Sequence, residues 1–334
     1  MQPWIDPQMG AILERMRTGP AFDFRAAPIA EARATVDAAT LPWSEGAPAI
    51  PARDLAIPRD LAIPTAGTAM RARLYQPEAG PVSAVIVYAH GGGWTFGSIE
   101  THDGTMRHLA VAAGCAVLGV DYRLAPEHPF PAPLDDLMAA IAFVEQGGLG
   151  KAIPAGAIAV AGDSAGANLA LAALLRRRDE GLPSLSAAAL FYGCYEPDFS
   201  TPSHAAFGGG DYLLTSANMR WYWNNFLGGE PDGTASLAAP VRSNLAGLPP
   251  LYLSAAGLDP LRDDTIRLAR RLGEAGVRFR FDHVPGVVHG CLRMSRELTA
   301  AAAMLAAGGR HLADHLNDKK TGGNQPWNAG LSSS

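Results

Sequence analysis

The sequence predicts an α/β fold, with a mostly parallel central sheet, helices on both faces of the sheet and a helical cap. Short apolar, β-branched runs alternate with helical stretches, as is typical of parallel strands buried between two layers of helices. A long interruption of this rhythm after the fourth run indicates an insertion above the sheet. The predicted buried strands are 84–89, 115–120, 157–161, 187–192, 251–255 and 277–284.

The composition predicts one soluble folded unit. A chain of 334 residues with 48% hydrophobic and 18% charged residues can bury a large core. The net charge of -5 offers no basic surface, so we expect no nucleic-acid partner. Charged and proline residues interrupt the N-terminal segment, and no run approaches the roughly 20 apolar residues of a membrane span. We therefore expect a cytoplasmic protein without stable membrane insertion.

The N-terminal segment, residues 1–50, is predicted to be helical and to form the first part of the cap. Four apolar residues between Met9 and Met16 recur at helical spacing. Extended segments begin near residue 54, and the alternating residues 70–75 predict a strand. The sheet is therefore expected to start in this region.

An insertion above the sheet is predicted to form the second part of the cap. Three consecutive glycines, 208–210, predict a loop, and an aromatic cluster around Trp221 lies in a short helical stretch. The C-terminal end is polar and Gly-rich, which favours disorder. The predicted division is 1–50 and 195–237 for the cap, 51–194 and 238–316 for the main domain, and 317–334 for a disordered tail. The three cysteines lack any metal-type spacing and are expected to be reduced, buried thiols.

The strongest chemical signal is the segment Gly162-Asp163-Ser164-Ala165-Gly166, between a predicted strand and a predicted helix. A Gly-x-Ser-x-Gly sequence in this context is typical of the nucleophile elbow of α/β hydrolases, whereas a chance Gly/Ser turn lacks the context. The two glycines avoid side chains that would collide with the neighbouring strand and helix. Ser164 is therefore the predicted nucleophile. Ala165, at the N-terminus of the helix, is a predicted oxyanion donor through its N–H.

A second glycine-rich segment, His90-Gly91-Gly92-Gly93-Trp94, directly follows the predicted strand 84–89. Glycines let the backbone approach a ligand oxygen closely, so we expect the N–H groups of Gly91 and Gly92 to complete an oxyanion hole. His90 is expected to brace this loop through hydrogen bonds rather than to act as a base. The segment lacks the G-x-G-x-x-G spacing of a dinucleotide-binding turn.

A serine nucleophile needs a general base and an acid that orients the base, and in this fold they follow in the order Ser, Asp or Glu, His. Asp259 lies just after the predicted strand 251–255, at the carboxyl edge of the sheet. Asp263 and Asp264 are alternatives, but they fall in the next helix, where carboxylates favour the helix dipole. His289 follows the last predicted strand and is the expected base.

Together these segments resemble the bacterial hormone-sensitive-lipase-like esterases, or family IV, in the branch with a Gly-Asp-Ser-Ala-Gly elbow. The matching segments are 90–94, 121–127, 162–166, 248–250 and 259–263. The resemblance implies an α/β-hydrolase fold, a two-part cap and cofactor-free hydrolysis of short to medium acyl esters. Cys291 and Ala167 stand where the family often has Phe and Gly, and neither departure removes a reacting group.

The predicted function is that of a serine carboxylesterase that forms an acyl-enzyme on Ser164, with Asp259 and His289 completing the triad. No cofactor or metal is expected, and the expected partner is a small-molecule ester. An edge strand near the C-terminal side is a candidate contact for a homodimer. The residues also expected to contact substrate are Trp94, Asp163, Tyr212 and Trp221.

Two alternatives stay open. The same triad serves amidases, lactonases and thioesterases, which an elbow does not distinguish. A non-catalytic small-molecule receptor of this fold is the second alternative, although such receptors usually lose a member of the triad.

Overall fold

The computed structural model describes residues 3–18, 22–59, 69–77, 84–150, 153, 156–229 and 237–317. Helices in this part of the chain are α1 (Pro7–Arg17), α2 (Ile29–Thr40), α3 (Asp103–Ala113), α4 (Ala132–Glu145), α5 (Ala165–Asp179), α6 (Pro202–Phe207), α7 (Ser216–Leu227), α8 (Arg262–Glu274) and α9 (Thr299–Asn317). The strands are β1 (Ala52–Pro58), β2 (Ala69–Tyr75), β3 (Ala84–Ala89), β4 (Ala116–Val120), β5 (Ala157–Asp163), β6 (Ala188–Phe191), β7 (Leu251–Leu258) and β8 (Phe279–Val288). Short 3-10 helices lie at Leu41–Ser44, Pro240–Arg242 and Cys291–Met294.

The described strands form one eight-stranded sheet in the order β1-β2-β4-β3-β5-β6-β7-β8. β2 pairs antiparallel with both β1 and β4, and every other pair is parallel. All residues of β3, β4 and β5 are buried, although successive side chains point to opposite faces. Both faces of the central sheet are therefore covered, and the predicted mostly parallel α/β fold is confirmed.

The last strand differs from its predicted bounds. It begins at Phe279 and continues to Val288, whereas the predicted strand covered residues 277–284. Pairing with β7 continues through a register irregularity between Ala256 and Leu258. The N-terminal segment also holds this stretch, since the backbone N–H of Asp6 donates to the Gly286 carbonyl at 3.0 Å. β8 forms an edge of the sheet, and the predicted homodimer contact through an edge strand stays a prediction.

The two predicted cap segments touch each other. The Phe24 ring, from the N-terminal segment, contacts Trp221 and Tyr222 of α7 at centroid distances of 5.5 and 5.8 Å. Asn168 of α5 holds both flanks of the insertion, because its side-chain amide donates to the carbonyls of Cys194 and Ala238, each at 2.9 Å. The division into cap and main domain stays a prediction.

Other expectations concern the tail, the cysteines and the membrane. Of the predicted tail, 317–334, all but the last residue of α9 lies outside the described residues. Cys115, Cys194 and Cys291 are buried and free, as predicted. Across the described ranges, no helix combines the length and the apolar character needed to span a bilayer.

Candidate active site

The turn between β5 and α5 holds Ser164 in a strained conformation. Its backbone has φ 53° and ψ -118°, a region that residues other than glycine rarely adopt. The Ser164 N–H donates to the Phe191 carbonyl at 2.9 Å, which ties the turn to β6. A Cβ on Gly162 would lie 2.5 Å from the Gly166 backbone, and one on Gly166 would collide with the Ala89 carbonyl. The predicted reason for both glycines is confirmed.

The structure brings Ser164, His289 and Asp259 into one chain of hydrogen bonds. His289 Nε2 lies 2.8 Å from Ser164 Oγ, and His289 Nδ1 lies 2.8 Å from Asp259 Oδ2. The other Asp259 oxygen accepts the Leu261 N–H at 2.8 Å, and the carboxylate is fully buried. Such distances permit proton transfer from the serine hydroxyl to the imidazole.

The topology explains why residues so far apart in sequence meet. Ser164, Asp259 and His289 each follow directly on the end of a strand, β5, β7 or β8. These strands are parallel, so their carboxyl ends lie at the same edge of the sheet. The Tyr192 ring, beyond the end of β6, packs edge-on against the His289 imidazole at 5.0 Å.

The two alternative carboxylates bind elsewhere. Asp263 accepts the Ser203 N–H at 2.8 Å, and Asp264 accepts the Tyr195 N–H at 2.9 Å. Burial raises the pKa of Asp264 well above its usual range. Both residues therefore fasten the first part of the insertion to α8, and Asp259 is the carboxylate beside His289.

The glycine loop after β3 requires a correction to the predicted oxyanion hole. The Gly91 N–H donates to Asp163 Oδ1 at 2.9 Å, so it is already engaged. The N–H groups of Gly92, Gly93 and Ala165 have no acceptor within the described part of the chain. Gly92 and Gly93 have φ of 121° and 60°, which turns this backbone away from regular strand geometry. The Gly93 N–H was not among the predicted donors, although Gly93 is the third of three consecutive glycines.

His90 braces the glycine loop, as predicted. It is buried, its Nδ1 lies 2.8 Å from the Gly91 carbonyl, and its ring stacks on Tyr122 at 4.3 Å. The Tyr122 hydroxyl donates to the His90 carbonyl at 2.7 Å. Burial, together with the neighbouring His102, lowers the pKa of His90 to about 3. His90 is therefore neutral near pH 7 and holds the loop through its ring and backbone.

Asp163 is not positioned to contact substrate, which corrects a second expectation. Its carboxylate is buried and accepts the Tyr88 hydroxyl at 2.8 Å and the Gly91 N–H at 2.9 Å. Burial acts to raise its pKa, but His102 and the Tyr88 hydroxyl outweigh burial and hold the pKa below its usual range. The ionised side chain therefore ties the glycine loop to the serine turn.

Trp94 is the third correction among the predicted contact residues. Its side chain is 0% exposed, stacks on Phe226 at 3.9 Å and packs edge-on against Trp223 at 4.7 Å. Trp94 therefore joins the glycine loop to α7, and a substrate has no access to it.

Tyr212 and Trp221 stay candidates for substrate contact. Both are half-buried. The Tyr212 ring packs edge-on against Phe207 at 5.5 Å, and the Trp221 ring stacks on Phe96 at 5.8 Å. Phe96 closely follows the glycine loop in the sequence, so the Trp221 ring lies close to that loop.

Asp163→Ala is expected to reduce both kcat and stability. The Gly91 N–H and the Tyr88 hydroxyl both donate to Asp163 Oδ1, so removal of the carboxylate leaves two buried donors without their acceptor. Each buried unpaired donor costs about 1–3 kcal/mol, which urea unfolding would detect, and the loosened loop should lower kcat more than it raises KM. Asp282→Ala is the matched control, since Asp282 accepts the Tyr252 hydroxyl at 3.0 Å outside the triad region. An unchanged kcat in Asp163→Ala would contradict this role.

The fold and the elbow define the class of this protein, which is an α/β hydrolase. Residues 86–293 match the family described as alpha/beta hydrolase fold. Esterase LipI of Mycobacterium tuberculosis is 41% identical over 248 residues, covering 72% of this chain and 77% of that protein. An acetyl esterase of Salmonella schwarzengrund is 34% identical over 272 residues, covering 80% of this chain and 81% of its own length.

A solved structure, the hyperthermophilic esterase from the archaeon Pyrobaculum calidifontis, superposes with a TM-score of 0.86 at 31% identity. The match covers 93% of this chain and 98% of that one. The chain belongs to the hormone-sensitive-lipase-like family of α/β hydrolases, which confirms the resemblance drawn from the sequence.

Proposed function

We propose that this protein is a serine carboxylesterase that hydrolyses short to medium acyl esters through an acyl-enzyme on Ser164. As a member of an esterase family, it is a carboxylic-ester hydrolase. The finer proposal is carried by one observation, the hydrogen-bonded series Ser164, His289 and Asp259 with 2.8 Å at each step. This arrangement supplies a nucleophile, a base and an orienting acid.

In the first half-reaction, Ser164 Oγ attacks the ester carbonyl carbon while His289 Nε2 takes the hydroxyl proton. Asp259 fixes the imidazole tautomer and stabilises the imidazolium that forms. The protonated His289 then gives its proton to the departing alkoxide oxygen. An acyl-enzyme and a free alcohol result.

The negative charge on the carbonyl oxygen needs preorganised donors during both half-reactions. We assign them to the backbone N–H groups of Gly92, Gly93 and Ala165, because these three have no acceptor in the described ranges while the Gly91 N–H binds Asp163 at 2.9 Å. Loss of one such donor costs about 10²–10³ in kcat in comparable sites. In the second half-reaction, His289 removes a proton from water, which attacks the acyl carbon and releases the acid and Ser164.

Ester hydrolysis is favoured over the alternative reactions of the same triad. An alkoxide leaves with less assistance than an amine, and the relatives named above are esterases. A receptor function is disfavoured, because the serine, histidine and aspartate are all present at hydrogen-bonding distance. The natural ester is a small molecule in this proposal.

The proposed substrate range is tested with 4-nitrophenyl acetate, butyrate, octanoate and palmitate. We expect kcat/KM to be high from acetate to octanoate and to fall sharply at palmitate, because α7 packs its aromatic side chains closely against the glycine loop. Release of nitrophenolate is the measurement. Release of 4-nitroaniline from the 4-nitroanilide of butyric acid tests amide cleavage in parallel. Turnover of the anilide alone would replace the esterase proposal with an amidase, and turnover of neither would contradict hydrolysis.

A further inference from the structure

A half-buried arginine, Arg293, lies beside the proposed base and has no carboxylate partner among the described residues. It belongs to the 3-10 helix Cys291–Met294, shortly after His289. A Cβ placed on Gly290, the residue after the base, would lie 3.1 Å from Arg293 Nη2. On its other side, Arg293 Nη1 reaches the Thr40 hydroxyl at 3.4 Å, at the end of α2. The guanidinium therefore lies between the N-terminal cap segment and the loop that carries the base.

Two other half-buried arginines, by contrast, each form ion pairs with a carboxylate. Arg33 of α2 binds both Glu127 oxygens at 2.7 and 2.8 Å and donates to two carbonyls at 3.0 Å. Arg123 binds both Asp136 oxygens at 2.8 and 3.0 Å. A guanidinium has five N–H donors, and Arg293 directs one of them to a single distant hydroxyl. Among the described residues no carboxylate forms an ion pair with it.

The charge of Arg293 acts to lower the pKa of two side chains that pack against the glycine loop, Tyr222 and Asp163. Tyr222 contacts the backbone at Gly93, and although burial raises its pKa, the charge of Arg293 acts in the opposite direction. On the serine side, Arg293 adds to His102 and Tyr88 in offsetting the effect of burial on the pKa of Asp163. Asp163 forms no ion pair with Arg293 within the described part of the chain: its Oδ1 binds Tyr88 and Gly91, and its Oδ2 faces the Tyr192 hydroxyl at 3.5 Å.

A cation that is partly withdrawn from water is costly unless an anion or hydrogen-bond acceptors meet it. Arginine also matches carboxylate geometry, since two parallel N–H groups can bind both oxygens. We infer that Arg293 binds a carboxylate of the substrate, so that esters carrying a second, anionic group are the preferred substrate class. This inference rests on the proposed esterase function and adds the charge of its substrate.

Two matched substrate pairs test the inference. The first pair is 4-nitrophenyl hydrogen adipate and 4-nitrophenyl hexanoate, which share acyl length and leaving group and differ in the terminal carboxylate. The second pair is 4-carboxyphenyl hexanoate and 4-carbamoylphenyl hexanoate, which places the charge on the alcohol. Rates are corrected for uncatalysed hydrolysis, and the quantity compared is the ratio of kcat/KM, anionic over neutral, within each pair.

The variants are Arg293→Gln, which removes the charge, and Arg293→Lys, which keeps it. Arg53→Gln is the matched control, because Arg53 donates to the Leu149 carbonyl at 3.1 Å from β1, at the opposite edge of the sheet from β8. In Arg293→Gln we expect the ratio to fall roughly tenfold or more in one of the two pairs, as for loss of a hydrogen bond between charged groups. Arg293→Lys should restore part of the ratio, and Arg53→Gln should leave it unchanged. The pair that responds identifies the side of the ester that carries the carboxylate.

Equal losses on both members of each pair would indicate a purely structural role for Arg293 and would overturn the inference. If the wild type hydrolyses the hexanoate esters and Arg293→Gln has the same anionic-over-neutral ratio as the wild type in both pairs, the inference is overturned and the esterase proposal stands. If the wild type hydrolyses none of the esters, the esterase proposal fails separately. Calorimetric titration with adipate then compares Ser164→Ala with the double variant Ser164→Ala/Arg293→Gln. Binding to Ser164→Ala that is weaker in the double variant supports the inference. No binding, or binding of equal strength in both, overturns it.

Discussion

Replacement of Ser164 by alanine is expected to lower kcat for 4-nitrophenyl butyrate by roughly 10⁶-fold, the size of effect that loss of a triad serine produces. Without Oγ no acyl-enzyme forms, and the remaining rate comes from substrate binding and the backbone donors alone. His289→Ala should cost about as much, because without the base neither the serine hydroxyl nor the hydrolytic water is activated. The double variant should be no slower than either single variant, since the two groups act as a unit.

The measurement is steady-state kinetics on the three variants, together with mass spectrometry after reaction with an aryl phosphonate. We expect the phosphonate adduct on Ser164 in the wild type and no adduct in Ser164→Ala. Ser186→Ala is the matched control, because Ser186 precedes β6 at the amino end of the sheet and its hydroxyl has no partner within the described part of the chain. Additive losses in the double variant, or an adduct on another residue, would count against Ser164 as the nucleophile.

Replacement of Asp259 by asparagine is expected to lower kcat by about 10⁴-fold, with little change in KM. The amide keeps the shape of the side chain, but it removes the charge that stabilises the imidazolium. It also permits the wrong tautomer of His289, whose Nδ1 lies 2.8 Å from Asp259 Oδ2. Thermal unfolding should show that the fold persists.

Asp263→Asn is the control for Asp259→Asn, because Asp263 lies just beyond the acid loop and its carboxylate accepts the Ser203 N–H at 2.8 Å. We expect a loss of less than tenfold in kcat, since the asparagine oxygen can still accept that hydrogen bond. A loss in Asp263→Asn as large as that in Asp259→Asn would show that the charge of the loop, rather than one carboxylate, supports the base. The pair of variants therefore tests the identity of the acid directly.

The sequence by itself determined the fold class and the placement of Ser164, Asp259 and His289. Apolar runs at strand length, separated by helical stretches, require a covered parallel sheet, and parallel strands end at the same edge. A residue directly after a predicted strand is therefore assigned to that edge without knowledge of its contacts. The elbow was recognisable from a five-residue motif between a predicted strand and a predicted helix, although the collision that Gly166 avoids is with Ala89 of the neighbouring strand β3.

Only the tertiary structure decided which backbone N–H groups are free and which aromatic rings are accessible. Gly91 is engaged by Asp163, a residue far away in sequence, and Trp94 is sealed by Phe226 of α7. Likewise, Arg293 looks like any other arginine until its neighbours Thr40 and Gly290 are known. Hydrogen-bond partners and burial are properties of pairs of residues from different elements, so they follow from packing and not from a local pattern along the chain.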